Sequence, residues 1–578
     1  MTRILKYVSK YKVLLIIGTL SMLAVIGVDL FMPYLQQIFI DDGVIAGNNS
    51  IIIKVLIGIL IITITKSILG YGKEFLYDIL SVKVHQDIKN DLFNHIQKLE
   101  FKYFDNMNTG ELMSRIGEDV ENIWQTIGFG LRLFIENIIY FVVSTVILFK
   151  LNFELALACF IIMIPIGFIA IKLESKFGKS YEEISDQTAE INTTAQENIA
   201  GVRLVKAFSR EKYEINKFLK MNRTYYDLNM KQAKIIGDYF PPIEFLTNVS
   251  LVIMIVLGGF LVMNDEITIG VLVAFSGYIW NLIWPMRSLG ELIDLLSRNS
   301  ASAKKIFEIM DREPEIKSKK ECYRNDSIEG NIVFDNVSFK YNDEYVLKNI
   351  NLDIKEGSTV ALMGTTGSGK STLINLIGRY YDLANGSIKI DNVDIKDYDL
   401  DFLRKNMSIV PQDTFLFSDS IINNIKFSNE NADYEEVKEA ASLACALDFI
   451  EELDEGLYTE IGERGIGLSG GQKQRISITR ALVRKSKILI LDDATSALDM
   501  ETEHRLLKNL SKREENSTTF IIAHRISAVK NADVIVYLEN GEIKEKGTHE
   551  ELLKLKGKYF DIYCNQFKDF NELEEEVV

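Results

Sequence analysis

Two short stretches carry residue types that could work on a phosphate. Residues 364–371 read GTTGSGKS, which fits the pattern G-x-x-x-x-G-K-[ST] in full. They follow the apolar run STVALM and open the stretch STLINLIGRYY, a strand-then-helix context. Glycines at this spacing let backbone N–H groups close around phosphate oxygens. Lys370 would reach the outer phosphates, and the Ser371 hydroxyl would join a Mg²⁺ shell. The second stretch is ILILDDATSALD, residues 488–499. Four apolar residues run into Asp492, as a buried strand ending at a metal-binding carboxylate would. Asp493 stands where a base for an attacking water is wanted. The chemistry indicated is binding of a nucleotide with Mg²⁺, which leaves a large class of nucleotide enzymes open.

The rest of the chain must position those residues. At 578 residues it exceeds one ordinary domain, so two or more cores are expected. Apolar residues form long runs before about residue 300 and short, strand-like bursts after it. That asymmetry predicts a membrane domain over 1–300, a linker over 301–330 and a soluble α/β domain over 331–578. Six segments are long and apolar enough to span a bilayer: 13–38, 51–80, 126–149, 151–173, 240–263 and 267–296. Before the first, TRILKYVSKYK places Arg3, Lys6, Lys10 and Lys12 among apolar residues, an interfacial elbow helix whose charge puts the N-terminus in the cytoplasm. The first span is too long for a signal peptide, and no small-residue cleavage site follows it. Connections after spans 2 and 4 are long and charged at helical spacing, so those helices are expected to run on beyond the membrane.

Ionisable groups within or beside the spans are Asp29, Glu136, Asp238, Glu244, Arg287, Glu291 and Asp294. Taken singly, each reads more readily as an interhelical partner than as part of a translocation path. The formal charge of −16 argues against a nucleic-acid partner. Four scattered cysteines, Cys159, Cys322, Cys445 and Cys564, form neither a disulfide framework nor a close metal cluster.

LSGGQKQR, residues 468–475, narrows the class. With it, the chain resembles the ATP-binding cassette (ABC) transporters along essentially its whole length, and six preceding spans make it similar to an exporter half-transporter. That resemblance implies six membrane helices fused to a C-terminal α/β phosphate-loop domain. It also implies ATP sandwiched between two cassettes, the phosphate loop of one facing the signature of the other. The loop would comprise Gly364, Thr365, Thr366, Gly367, Ser368, Gly369, Lys370, Ser371 and the adjoining Thr372. Ser469, Gly470, Gly471 and Gln472 would face ATP held by the partner chain. Tyr341, in VSFKYNDEYVL, matches the aromatic that stacks on adenine. Gln412 matches the glutamine that contacts Mg²⁺ and water, so Ser371, Gln412 and Asp492 would hold the metal. His524 matches the switch histidine, and Asp499 matches the loop through which two sites communicate. Glu463 and Arg464, with 103–115 and 205–214, match segments that couple cassette to spans.

One position departs from the pattern. Where strong cassettes have glutamate, this chain has Asp493, one methylene shorter. A base must come within about 2.6–3.2 Å of the proton it takes, and a misplacement of about 1 Å can cost on the order of 10²-fold. In the exporter family an aspartate here is typical of the weak-site half of a heterodimer. The expectation is therefore an ATP-driven exporter half, paired with a different half-transporter, whose own site binds ATP and cleaves it slowly. A slow homodimer, or a membrane protein that ATP only gates, are the alternatives. The substrate is expected to be small and hydrophobic or amphipathic, drug-like or lipid-like, and the location a bacterial plasma membrane with the cassette in the cytoplasm.

Overall fold

The computed structural model describes the backbone of residues 2–325, 327–512 and 517–575. Side chains are described throughout these ranges except at 2, 289–291, 293–294, 296–298, 464 and 567–575. The chain divides into two compact units, Met1–Lys98 with Met107–Glu313, and Leu99–Asn106 with Pro314–Val578.

The first unit is helical because its sequence is. A short helix Thr2–Val8 leads through one 3₁₀ turn into Lys12–Ile38. Further helices are Asn49–Ile96, Thr109–Leu151 (with two π turns), Phe153–Ala200, Glu211–Met263 and Ile269–Asp311. Among the described residues six helices are long and apolar enough to cross a membrane. Asn48, Asn152 and Thr268 start three of them by accepting hydrogen bonds from backbone N–H groups of the first turn. Helices of 48 and 53 residues reach roughly 70–80 Å, well beyond a bilayer core of about 30 Å, so they do continue past the membrane. Five of the seven prolines, Pro33, Pro165, Pro241, Pro242 and Pro285, sit inside these helices without ending them. Neighbouring helices supply the support that lone helices would lack.

The sixth helix differs from its expected end. Residues 301–311, placed in a linker on sequence grounds, are its last three turns. Ala303, Ile306, Phe307 and Ile309 recur at helical spacing and are buried, so the apolar face runs on. Most ionisable groups singled out in the spans find partners on neighbouring helices. Asp29 pairs with Lys66 at 2.5 Å and accepts from the Tyr140 hydroxyl at 3.0 Å. Glu136 pairs with Lys73 at 2.9 Å, and Glu244 with Arg287. The side chains of Glu291 and Asp294 lie outside those described.

The second unit is built on a six-stranded sheet ordered β6-β7-β8-β3-β9-β10. Its strands are β3 (Thr359–Gly364), β6 (Met407–Val410), β7 (Ile488–Asp492), β8 (Thr518–Ile522), β9 (Val534–Glu539) and β10 (Glu542–Gly547). β6 through β9 run parallel with β3 between β8 and β9, and both faces are covered, which is why ILILD is continuously buried. A second, antiparallel sheet is ordered β2-β1-β4-β5, from β1 (Ile332–Tyr341), β2 (Glu344–Ile354), β4 (Asn385–Ile390) and β5 (Val393–Asp394). Residues 99–106 pack into this unit. The Phe101 ring stacks on Tyr380 with centroids 4.6 Å apart, and the Tyr381 hydroxyl donates to Asp105 at 2.7 Å.

The loop that carries Gln412 is fixed from behind by a buried amide. Asn424 Oδ1 accepts from Phe417 N (2.9 Å) and Arg480 Nη2 (2.9 Å), while its Nδ2 donates to the carbonyls of Phe417 (3.0 Å) and Ser420 (3.1 Å). Burial pushes the Arg480 guanidinium down to about 10, a cost offset by bonds to the carbonyls of Asn424 and Phe415. Replacing Asn424 by alanine strands several buried donors and acceptors at once. Asn424→Ala should destabilise the cassette by about 2–3 kcal/mol, measured as a drop in its thermal midpoint. An unchanged midpoint would mean that water or a shifted side chain takes over the network.

Candidate nucleotide-binding site

Parallel pairing brings three loops to one edge of the sheet. Ile522, the last residue of β8, lies opposite Asp492 of β7 and Leu362 of β3. The segments leaving these strands therefore emerge side by side, at the carboxyl edge where open α/β sheets bind ligands. After β3 the chain turns through Gly364, Gly367 and Gly369, all with positive φ, into the helix Lys370–Ile377. Two of these glycines are required by space as well as by backbone. A Cβ on Gly364 would come 2.1 Å from the Leu538 carbonyl oxygen, and one on Gly369 2.6 Å from the Leu347 side chain.

A cleft of about 390 Å³ opens at this edge. It is lined by Thr366, Gly367, Gly369, Lys370, Ser371 and Thr372 from the loop, with Gln412, Asp492, Asp493 and His524 from three other segments. Lys370 Nζ donates to the carbonyls of Gly364 and Thr365, both at 2.9 Å, folded back over its own loop. Burial lowers the Lys370 pKa below lysine's ordinary value, against the pull of Asp492 and Asp493. Burial likewise raises that of Asp492, with Asp493 adding to the shift and Ser371 opposing it. A phosphate at the lysine and a divalent cation at the carboxylate would oppose both burial shifts.

The donors suit a particular cation. Ser371 Oγ donates to Asp492 Oδ1 at 3.2 Å, and Gln412 lines the same cleft. Among the described residues no group of three or more His, Cys, Asp or Glu could hold a metal by itself. A hydroxyl, a carboxylate and an amide make a partial set, which fits Mg²⁺ that keeps waters and phosphate oxygens in its shell. When bound, that ion would neutralise charge on the outer phosphates.

Asp493 departs from ordinary backbone geometry, with φ of 49°. Aspartate is among the residues that tolerate this left-handed region. Its N–H donates to Ile522 O at 3.1 Å, and its carbonyl accepts from the Ser496 hydroxyl at 2.9 Å. Gln474, which sequence reading did not single out, holds the loop beyond it. Its side chain donates to Ser496 Oγ (3.1 Å) and accepts from Ala497 N (3.0 Å). It lies in 468–475, but only the fold shows that it faces this loop.

The remaining candidate residues stand elsewhere in the same unit. Ser469 caps the helix Gly470–Leu482 in a capping box with Gln472, so Gly470, Gly471 and the cap form an exposed helix start apart from the cleft. Asp499 caps the next helix, Met500–Leu510. Gly364, Thr365 and Ser368 do not line the cleft; Thr365 is exposed and the Ser368 side chain is buried. Tyr341 lines a different cavity of about 590 Å³, where its ring meets Phe339 and Tyr381 edge-on. His524 is held through its carbonyl, which accepts from Gln566 Nε2 at 2.7 Å. Glu463 opens a 3₁₀ turn ahead of the signature, and the Arg464 side chain lies outside those described.

Known proteins match this architecture from end to end. Residues 15–286 match the ABC transporter transmembrane region, and residues 347–496 match the ABC transporter family. The ATP-dependent lipid A-core flippase of Desulfotalea psychrophila is 38% identical over 96% of this chain and 97% of its own length. A Bacillus subtilis protein provisionally named for multidrug export, YgaD, is 35% identical over 98% and 99%. A solved bacterial Atm1-family ABC exporter with ATP bound superposes with a TM-score of 0.83 at 27% identity, covering 96% of this chain and 98% of that one. The chain belongs to the ABC transporters: it is an exporter-type half-transporter, a multi-pass membrane protein with a translocating ATPase in its second unit.

Proposed function

We propose that this half-transporter exports a small hydrophobic or amphipathic substrate as the weak-site member of a heterodimer. The observation that carries the reading is Asp493, a short carboxylate in the cleft beside Asp492 where strong cassettes of this family have glutamate. The rest of the cleft is complete for binding: a glycine-rich amide cradle, Lys370, and Ser371 with Asp492 and Gln412 for Mg²⁺. ATP would be held there with its outer phosphates on Lys370 and its base toward Tyr341, while Asp493 falls short of the attacking water. The signature helix, capped by Ser469 and Gln472, is intact and would complete the partner's stronger site. His524 would contact the outer phosphate, and Asp499 would carry the state of one site to the other. Residues 1–300 would form the translocation domain and 331–578 the cassette, facing the cytoplasm with the basic elbow helix. The drug-like or lipid-like substrate class rests on the names of the relatives.

One observation favours a slow homodimer instead. The left-handed backbone at position 493 suits aspartate better than glutamate, so the shorter side chain could answer a conformational demand and still serve as a base. The two readings separate by experiment.

The chain purified alone should be a poor ATPase, and co-expression with its partner should give a 1:1 complex of much higher turnover. Full activity from the lone chain would leave the homodimer standing. Within the complex, Asp493→Glu should raise turnover at this chain's own site, by no more than the 10²–10⁴-fold that a positioned base is worth, roughly. The strain of glutamate at that φ works against the gain. Lys370→Ala should lower turnover more than Asp493→Asn does, because it weakens the bound ATP that helps to hold the dimer closed. Steady-state ATPase and transport, with each change made singly, check this. Abolition of both activities by Asp493→Asn would make Asp493 a working base and end the weak-site reading.

A further inference from the structure

His524 lines the nucleotide cleft, yet its imidazole has no hydrogen-bond partner among the described residues. Its aim therefore depends on the backbone that carries it. That backbone runs from β8, which ends at Ile522, into the short helix Ile526–Val529, and the residue before this helix, Arg525, supplies no side-chain cap. The cap comes from far along the chain. Gln566 Oε1 accepts from Ile526 N at 2.8 Å, and Gln566 Nε2 donates to the His524 carbonyl at 2.7 Å. One amide thus brackets Arg525 from both sides, as a residue of a parallel neighbouring strand does. From the other direction, Arg525 Nη1 reaches Leu498 O and Glu503 Oε2 only at 3.4 Å, beyond the usual range of about 2.7–3.2 Å. The amide is the tighter support.

The helix Lys558–Glu575 holds Gln566 in place. Tyr559, Ile562, Tyr563 and Gln566 fall at i, i+3, i+4 and i+7, which puts them on one face of that helix. Tyr559 is fully buried, and Ile562 and Tyr563 pack against the same core that contains Ala523, the neighbour of His524. At the start of the helix, the buried carboxylate of Glu545 accepts from the N–H groups of Lys558 and Tyr559, donors that a helix leaves unpaired. The Tyr559 hydroxyl lies 2.6 Å from His549 Nδ1. Gln566 itself is exposed, so replacing it removes the two bonds without opening the core.

We infer that Gln566 is a positioning residue for His524: its side-chain amide fixes the turn at Arg525, so that the imidazole meets the outermost phosphate of the bound nucleotide. The inference rests on the reading of His524 as the group that contacts that phosphate. A diphosphate has nothing at that place, so a correctly aimed imidazole favours ATP over ADP. Without the amide the turn at Arg525 is freed, and the imidazole spends less time where it can bond the phosphate. The phosphate loop, which holds the inner phosphates, is untouched by that change.

The test uses the full-length chain in its native assembly with Mg²⁺, labelled by an azido-ATP whose photoreactive group sits on the base, and reads the label on this chain alone. Unlabelled AMP-PNP and ADP compete for the site, and the ratio of their half-competing concentrations is the triphosphate preference. His524→Ala should lower that preference on the order of tenfold, the worth of one hydrogen bond to a charged group. Gln566→Met keeps the side-chain length and removes both bonds; it should lower the preference about threefold and leave competition by ADP unchanged. Unchanged ADP competition also reports a folded cleft, and Gln566→Ala replaces the methionine variant should that one fail to assemble. In the His524→Ala background, Gln566→Met should change nothing further, because the two residues act through one contact. An intact preference in His524→Ala defeats the reading of His524, and the inference with it. A preference lost in His524→Ala but kept in Gln566→Met overturns the inference alone. So does an equal weakening of AMP-PNP and ADP by Gln566→Met, or a further loss in the double variant, since either marks a merely structural role.

Discussion

The catalytic half depends on one strand register. Ile522 sits opposite Asp492 on one side and Leu362 on the other, so β7 and β8 end level and β3 runs two residues further, to Gly364. Asp492 ends β7, Asp493 and His524 follow β7 and β8, and Lys370 opens the helix after β3, so the sheet register brings them to one edge. A slip by one residue would turn each strand's buried side chains to the opposite face. The uninterrupted burial of β7 and β8 makes such a slip costly. The glycines after β3 then let the chain bend tightly enough for its amides to face the cleft.

The membrane unit answers a different constraint, the expense of charge in hydrocarbon. It meets that expense by pairing across helices: Asp29 with Lys66, Glu136 with Lys73, Glu244 with Arg287. Such pairs rarely add stability over apolar packing, but breaking one leaves a buried charge alone. They therefore constrain which helices can be neighbours.

What the sequence disclosed follows the range of the interactions. The phosphate loop is eight consecutive residues, so its glycines and lysine could be read directly. The spans and their long extensions were legible from apolar runs and helical charge spacing. Gln412 and His524 came only through resemblance, since nothing local marks them. Gln474, Asn424 and Arg480 went unremarked because their roles lie in partners 20 to 60 residues away. Lys73, Glu74 and Arg132 escaped for another reason. In long helices with charges at helical spacing, nothing local shows that Lys73 and Arg132 meet Glu74 and Glu136 across a helix pair. The helix of the sixth span was not followed past 296 because polar residues there masked an apolar face that persists to Ile309.

The grouping of residues 99–106 with the cassette means that the two units do not meet at a single cut in the chain. Phe101 covers the face of Tyr380, and Asp105 receives the Tyr381 hydroxyl. A fragment begun at Pro314 would lack that cover. Its bare tyrosine pair would be a sticky surface, and such a fragment would differ from the native cassette in the way it crowds, aggregates or finds a false mate.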